Sequence, residues 1–168
     1  MRVQQTPSLL RLLLDAGIEH VVVGGVAALT WGALELTRDL DVVIPFSAGS
    51  VAALLEALHP HHPKHATRPD LGVIRDSPEA LAKFRMLLIE TDLGRIDVLP
   101  QCEPVGDYTR LQSRAASMRL DDGEHLIVDL DDLITIKEHV ARPKDLIVAA
   151  QLKAVRARLR IDAEPDAD

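Results

Sequence analysis

Aromatic residues are nearly missing from this chain: it has one Trp, one Tyr and two Phe in 168 residues. A core must then be built from Leu, Val, Ile and Ala, and no aromatic platform is available on which nucleic-acid bases could stack. Positive charge is also short. Lys and Arg total 19 against 26 Asp and Glu, a formal net charge of −7. That argues against a protein that coats DNA or RNA through an extended basic surface, while leaving room for a local basic site. Cys102 is the single cysteine. It can form no disulfide within the chain, and such sparse cysteine fits a reducing compartment. No apolar run approaches the roughly 18 residues of a membrane span, and the first residues show no signal-peptide pattern. The expected setting is the cytoplasm, with no membrane association. Internal repeats, low-complexity blocks and domain linkers are absent as well. The length, with 47% apolar residues, suits one domain with a real core.

The stretch Val21–Phe46, VVVGGVAALTWGALELTRDLDVVIPF, holds the densest signal. An apolar run, Val21 to Val23, stops at Gly24-Gly25. A segment of helical composition follows, from Val26 to Trp31. Then Thr37-Arg38-Asp39-Leu40-Asp41 leads into Val42-Val43-Ile44. Residues i and i+2 of a strand share a face, so Asp39 and Asp41 are expected side by side at its mouth. Two carboxylates held together repel unless something positive lies between them. A hard divalent ion such as Mg²⁺ is the obvious candidate. A D-x-D pair alone is also common on surfaces, and Gly-Gly alone is also an ordinary turn. The ordered combination of strand, glycines, short helix, acids and strand is what points to a site.

Around this centre the pattern predicts a helix over Thr6 to Ala16, capped by Thr6 with Pro7 next and ended by Gly17. A buried strand spans Ile18 to Val23, and a Ser-capped helix covers Ser47 to Leu58. His59 to Asp70 reads as a loop, with three prolines and four histidines. The prolines break the helical spacing of a His metal site, and no Cys lies near, so a solvated loop is expected rather than zinc. Leu71 to Arg75 is a candidate short strand. Phe84–Glu90 and Arg95–Leu99 form a hairpin across Thr91 to Gly94. Asp97, inside the second of these strands, needs a partner if buried. Either Arg38 or Arg95 pairs with it, or it joins Asp39 and Asp41 as a third carboxylate. Asp107 to Met118 reads as a helix, and Ser117–Leu120 with His125–Val128 as a hairpin over Asp121-Asp122-Gly123. Asp129 to His139 reads as a helix with acids first and bases last, which accounts for Asp131 and Asp132 without chemistry. A final helix runs from about Pro143 to Arg158, and residues 161–168 read as an acidic, flexible tail beyond a domain of residues 1–160.

Four blocks, GGVAALTWG, LTRDLDVVI, RIDVLP and KEHVARPKDLIVAAQL, together resemble the minimal nucleotidyltransferases of the DNA polymerase β-like superfamily, most closely the AbiEii/MNT-like branch. The resemblance spans residues 8 to 158. It implies an α/β (α+β) fold, a mixed β-sheet flanked by helices in a single domain. It implies a Mg²⁺-dependent enzyme, using two ions, that moves NMP from ATP or another NTP to an acceptor hydroxyl on a tRNA, a protein or a small molecule. Many relatives of this kind are toxins, so an antitoxin or helical partner protein is implied too.

Residue by residue, the resemblance gives Gly24 and Gly25 the nucleotide-site glycines, and Asp39 and Asp41 the paired metal carboxylates. It makes Asp97 the third carboxylate, a metal ligand and a general base. Lys137, Arg142, Lys144 and Asp145 match the C-terminal block beside the nucleotide, and Arg38 is a further candidate for the phosphates. From the residues alone, Lys137 fits equally as a solvated helix-end charge, and Asp145 as a cap or ion-pair partner. One position departs from the branch. Two residues before Thr37, where Arg is common, stands Glu35. An acid there motivates a second expectation, a non-catalytic nucleotide-sensing or protein-interaction module on the same fold. A dinucleotide-binding Rossmann domain fits poorly, because the three-glycine fingerprint is missing and D-x-D has no role in it.

Overall fold

The computed structural model of the protein describes residues 3–163. Helix α1 (Thr6–Asp15) leads into strand β1 (Val21–Val23), which passes directly into α2 (Gly24–Trp31). Strand β2 (Leu40–Val43) and α3 (Ala48–Leu58) follow, then the short β3 (Lys64–His65) and α4 (Pro78–Leu81). The hairpin β4 (Leu87–Thr91) and β5 (Gly94–Leu99) is followed by a small ribbon, β6 (Gln101–Cys102) with β7 (Gly106–Asp107). The chain ends with α5 (Tyr108–Gln112), the hairpin β8 (Ala116–Leu120) and β9 (Gly123–Ile127), α6 (Leu130–Val140) and α7 (Pro143–Ala163).

Seven strands form one mixed sheet in the order β3-β4-β5-β2-β1-β9-β8. β2 lies at its centre, antiparallel to β1 and parallel to β5. Central strands are covered on both faces, which is why β1 is wholly apolar and buried. Leu9 and Leu13 of α1, Val51, Leu54 and Leu58 of α3, and Leu133 and Ile134 of α6 pack with Val21, Val22, Val42, Val43, Ile96 and Val98 in one aliphatic core. The strand sides facing that core are mostly Val and Ile, with Leu40 and Leu87 among them, as a pleated, close-packed surface favours. Among the described residues, no helix is long and apolar enough to cross a membrane.

Several expectations shift in detail. Gln5, not Thr6, is the N-cap of α1, and no side chain caps that helix. The helix expected over Asp107 to Met118 shortens to α5. Asp107 does cap it, accepting from the Arg110 backbone N–H, but residues 116–120 pair with β9 across the full hairpin. Sheet pairing there outweighs local helical preference. The edge strand lies at Lys64–His65 rather than Leu71–Arg75, and Val73 meets it only at an isolated bridge to Lys64. The histidines of that loop are dispersed: His62 bonds Asp92 at 2.5 Å and His65 bonds Asp76 at 2.9 Å. Helix α7 continues to Ala163, three residues into the stretch expected as a tail, and residues 164–168 lie outside the described residues.

Candidate functional site

The central strand and the glycine turn beside it create the site. Asp41 lies opposite Val23 on β1 and beside Asp97 on β5. Asp39, two residues earlier and at the entrance to the strand, faces the same cleft. Gly24 has φ +63°, and a Cβ there would stand 2.3 Å from Asp41 Oδ2. Only glycine lets the start of α2 approach the carboxylate this closely. Gly25 is confined as well, since its Cβ would meet Thr37 at 2.8 Å. Thr37 in turn donates its hydroxyl to the Asp39 carbonyl at 2.8 Å, setting the turn that aims both acids. The N-cap of α2, Val23, makes no side-chain capping bond, and an uncapped helix start of this kind suits an anion.

The electrostatics of this corner are strained. Burial, followed by repulsion from Asp39 and Asp97, pushes the Asp41 carboxyl up to about 7, against weaker pulls from Lys137 and Arg95. Asp97 is also raised, by burial above all, with Arg95 opposing. The sequence left open whether Asp97 pairs with an arginine or joins the acid pair. It pairs. Arg95 Nε donates to Asp97 Oδ1 at 2.7 Å and Nη2 to Oδ2 at 3.1 Å, while the same Nε lies 3.7 Å from Asp39 Oδ2. Among the described residues, no group of three His, Cys, Asp or Glu side chains is arranged to hold a metal ion. Both Asp97 oxygens face the Arg95 guanidinium, while Asp39 and Asp41 have no bidentate cation partner among the described residues. What remains suits one hard cation. Asp39 and Asp41 offer oxygen donors on one face, and Mg²⁺ takes one or two carboxylates with water and phosphate completing its shell.

The C-terminal block gathers on the other side of the cleft. Lys137 lines the cleft and is buried, not a solvated helix-end charge. Its Nζ bonds Glu35 Oε2 and Asp145 Oδ1, each at 3.2 Å. Arg142 Nε bonds Asp145 Oδ2 at 2.6 Å. Burial alone would raise Asp145, but the hydrogen bonds from Arg142 and Lys137 prevail and hold it below the ordinary carboxylate range. Glu35 is thus matched by Lys137, 102 residues away in sequence. Its negative charge is compensated, and it does not stand as an open repulsion to phosphate. Arg38 and Lys144, both exposed, line the cleft and form no ion pair among the described residues. Arg85, which sequence reasoning missed, does the same from the segment before β4. No motif marks it, since only the sheet brings that segment to the cleft.

All these groups line one cleft of about 960 Å³, where six acids, counting Glu35, Asp39, Asp41, Asp97, Glu103 and Asp145, face six Arg and Lys side chains. Against a chain charge of −7, this balance concentrates positive charge where phosphate could use it. The floor is partly apolar and includes Cys102, whose thiol burial pushes up to about 12. Burial thus disfavours the thiolate that a nucleophilic role would need. Asp131 and Asp132 serve structure, pairing with Arg156 and with Arg110 and Arg114 respectively.

No protein-family profile matches this chain, and no curated protein matches it in sequence. Solved structures do match in fold. The lincosamide antibiotic adenylyltransferase LnuA, in its lincomycin-bound crystal structure, superposes with a TM-score of 0.61, at 11% identity, over 92% of this chain and 99% of its own. The solution structure of the antibiotic-resistance factor ANT(2'')-Ia matches at 0.54, with 15% identity over 94% and 92% of the two chains. ANT(2'')-Ia in complex with adenylyl-2''-tobramycin matches at 0.52, with 11% identity over 93% and 95%. At such identities the likeness shows the fold alone: a single mixed-sheet domain built as these proteins are. It does not single out the AbiEii/MNT-like branch.

Proposed function

We propose that this chain is a Mg²⁺-dependent nucleotidyltransferase that moves the NMP of an NTP onto a hydroxyl of a small molecule. The observation that carries the reading is the acid pair set against Gly24. Asp39 and Asp41 stand at the uncapped start of α2, in a cleft with Arg38, Lys144 and Arg85 available for phosphate. Mg²⁺, held by Asp39 and Asp41, would neutralise triphosphate charge when bound. The chain's own residues do the rest. The first N–H groups of α2 take phosphate oxygens at a helix start, as anion sites of this kind do. Arg38, Lys144 and Arg142 hold the pyrophosphate end. The acceptor oxygen bonds to the α-phosphorus, the bond from that phosphorus to the β-bridging oxygen breaks, and pyrophosphate leaves. The hydroxyl proton passes to Asp97, beside Asp41 in the parallel register, on a carboxylate lone pair that the bidentate Arg95 contact leaves open.

A small acceptor is favoured over tRNA or protein on three grounds. The chain is acidic and poor in aromatics. The cleft, at about 960 Å³, has room for a nucleotide and a compact acceptor together. Fold neighbours of nearly the same length carry lincomycin or an adenylylated tobramycin. The test is transfer of label from α-³²P ATP, CTP, GTP and UTP to a panel of lincosamides and aminoglycosides, to bulk tRNA and to protein. Label on a small molecule, lost in Asp39→Ala, is the expected result. Label on tRNA or protein would reassign the acceptor. Absence of transfer together with absence of nucleotide binding would leave the non-catalytic module as the better account.

A further inference from the structure

We infer that this cleft works with a single divalent ion and that the guanidinium of Arg95 supplies the second positive charge its carboxylates require. The inference rests on the nucleotidyltransferase reading and departs from the two-ion expectation that came with it.

Arg95 and Asp97 stand two residues apart on β5 and so share a face. The pair is bidentate, with planar fork against planar carboxylate, the geometry in which arginine binds a carboxylate best. Asp97 has only 12% of its side chain exposed, and the same guanidinium reaches toward Asp39. A second metal ligated by Asp97 would have to displace Arg95 or stand beside its guanidinium, cation against cation. Asp39 and Asp41, by contrast, have among the described residues only the looser 3.7 Å contact of Arg95 with Asp39.

The backbone holds Arg95 in place from the opposite side. Gln4 Oε1 accepts the Arg95 N–H at 2.8 Å and Gln4 Nε2 donates to the Arg95 carbonyl at 3.0 Å. Gly94, with φ +118°, lets Gln4 approach this closely, since a Cβ there would stand 2.3 Å from Gln4 Oε1. The segment before α1 thereby clamps both polar groups of the residue that carries the guanidinium. Arg95 is a positioning residue. It keeps Asp97 oriented toward the acceptor and away from metal.

Electron paramagnetic resonance of Mn²⁺ counts the ions directly, with α,β-methylene analogues of ATP, CTP, GTP and UTP as non-reacting probes. The wild type should hold one Mn²⁺ per chain with the analogue that binds. Arg95→Ala should hold two, and Arg95→Lys should return to one. Arg95→Gln replaces Arg95→Ala if the latter fails to fold. Two Mn²⁺ in the wild type would overturn the inference and leave the nucleotide reading standing. One Mn²⁺ in wild type and Arg95→Ala alike would show that Arg95 excludes nothing, and the inference falls. Absence of analogue-dependent Mn²⁺ binding would overturn the functional reading itself and the inference with it.

Discussion

Replacing Asp41 by Asn removes a charge that the folded protein holds at a cost. The Asp41 carboxyl rises from 3.8 to about 7 on folding, through burial first and the repulsion of Asp39 and Asp97 next. A shift of roughly three units corresponds to about 4 kcal/mol at about 1.4 kcal/mol per unit. Water at the cleft mouth screens the repulsion, so a gain of about 2 kcal/mol is the working figure. The sign follows from linkage. A carboxyl whose folded value lies above its unfolded value contributes stability below the unfolded value. That contribution is lost as pH rises through the folded one. For Asp41 the window runs from about 4 to about 7. Asp41→Asn has Asn in a space of nearly the same shape, with no proton to lose. The variant should therefore match the wild type near pH 4 and exceed it increasingly up to pH 7.5. In a domain of this size, about 2 kcal/mol corresponds to roughly 4–8 °C in Tm. Differential scanning calorimetry in EDTA, repeated at half-unit steps from pH 4 to pH 8, reads the difference. A variant equal to or less stable than wild type at pH 8, or a gain that does not change with pH, refutes the account of a repulsive acid corner.

Gly24→Ala should lower both stability and nucleotide affinity. The left-handed backbone costs roughly 1–2 kcal/mol for a non-glycine residue, and the new methyl displaces the Asp41 carboxylate; urea melts and calorimetry check the two effects. Lys137→Met leaves Glu35 without its partner and Asp145 with Arg142 alone. A loss of about 3–5 kcal/mol is expected for breaking a buried pair, and adding Glu35→Gln should recover a good part of it in a double-mutant cycle. His20 is held neutral chiefly by burial, partly offset by its bond to the Ile18 carbonyl. A depressed histidine gives stability above about 6.5 that is lost as pH falls. His20→Gln should flatten the pH dependence of Tm on the acid side of about 6.5.

What the chain declares locally is legible from its residues. The apolar run before Gly24-Gly25 could only be a covered strand. The D-x-D entry to β2 and the hairpin before Asp97 follow from period-two alternation. Gly24 was given its nucleotide-site role only by the resemblance; the physical need for glycine, Asp41 Oδ2 against its Cβ position, requires the antiparallel pairing of β1 with β2. Long-range partners were less visible. Lys137 read as a solvated end charge or a phosphate ligand because nothing near it in sequence reveals Glu35, 102 residues earlier. Glu35 read as a flaw for the same reason. Arg95 was one of two possible partners for Asp97, and only three-dimensional geometry shows that it engages both oxygens. The helix expected through Met118 failed because β9 was available to pair with residues 116–120, a tertiary preference that no local pattern encodes.

The central claim is that Asp39 and Asp41, backed by Gly24 and faced by Arg38 and Lys144, form a metal–nucleotide site. Isothermal titration calorimetry with ATP, CTP, GTP and UTP, each with and without Mg²⁺, tests it most directly on wild type and Asp39→Ala. The account predicts saturable, Mg²⁺-dependent binding of at least one nucleotide to the wild type, weakened at least about tenfold in Asp39→Ala, the equivalent of about 1.4 kcal/mol. Mg²⁺-independent binding, equal binding by the variant, or no heat with any of the four would contradict it.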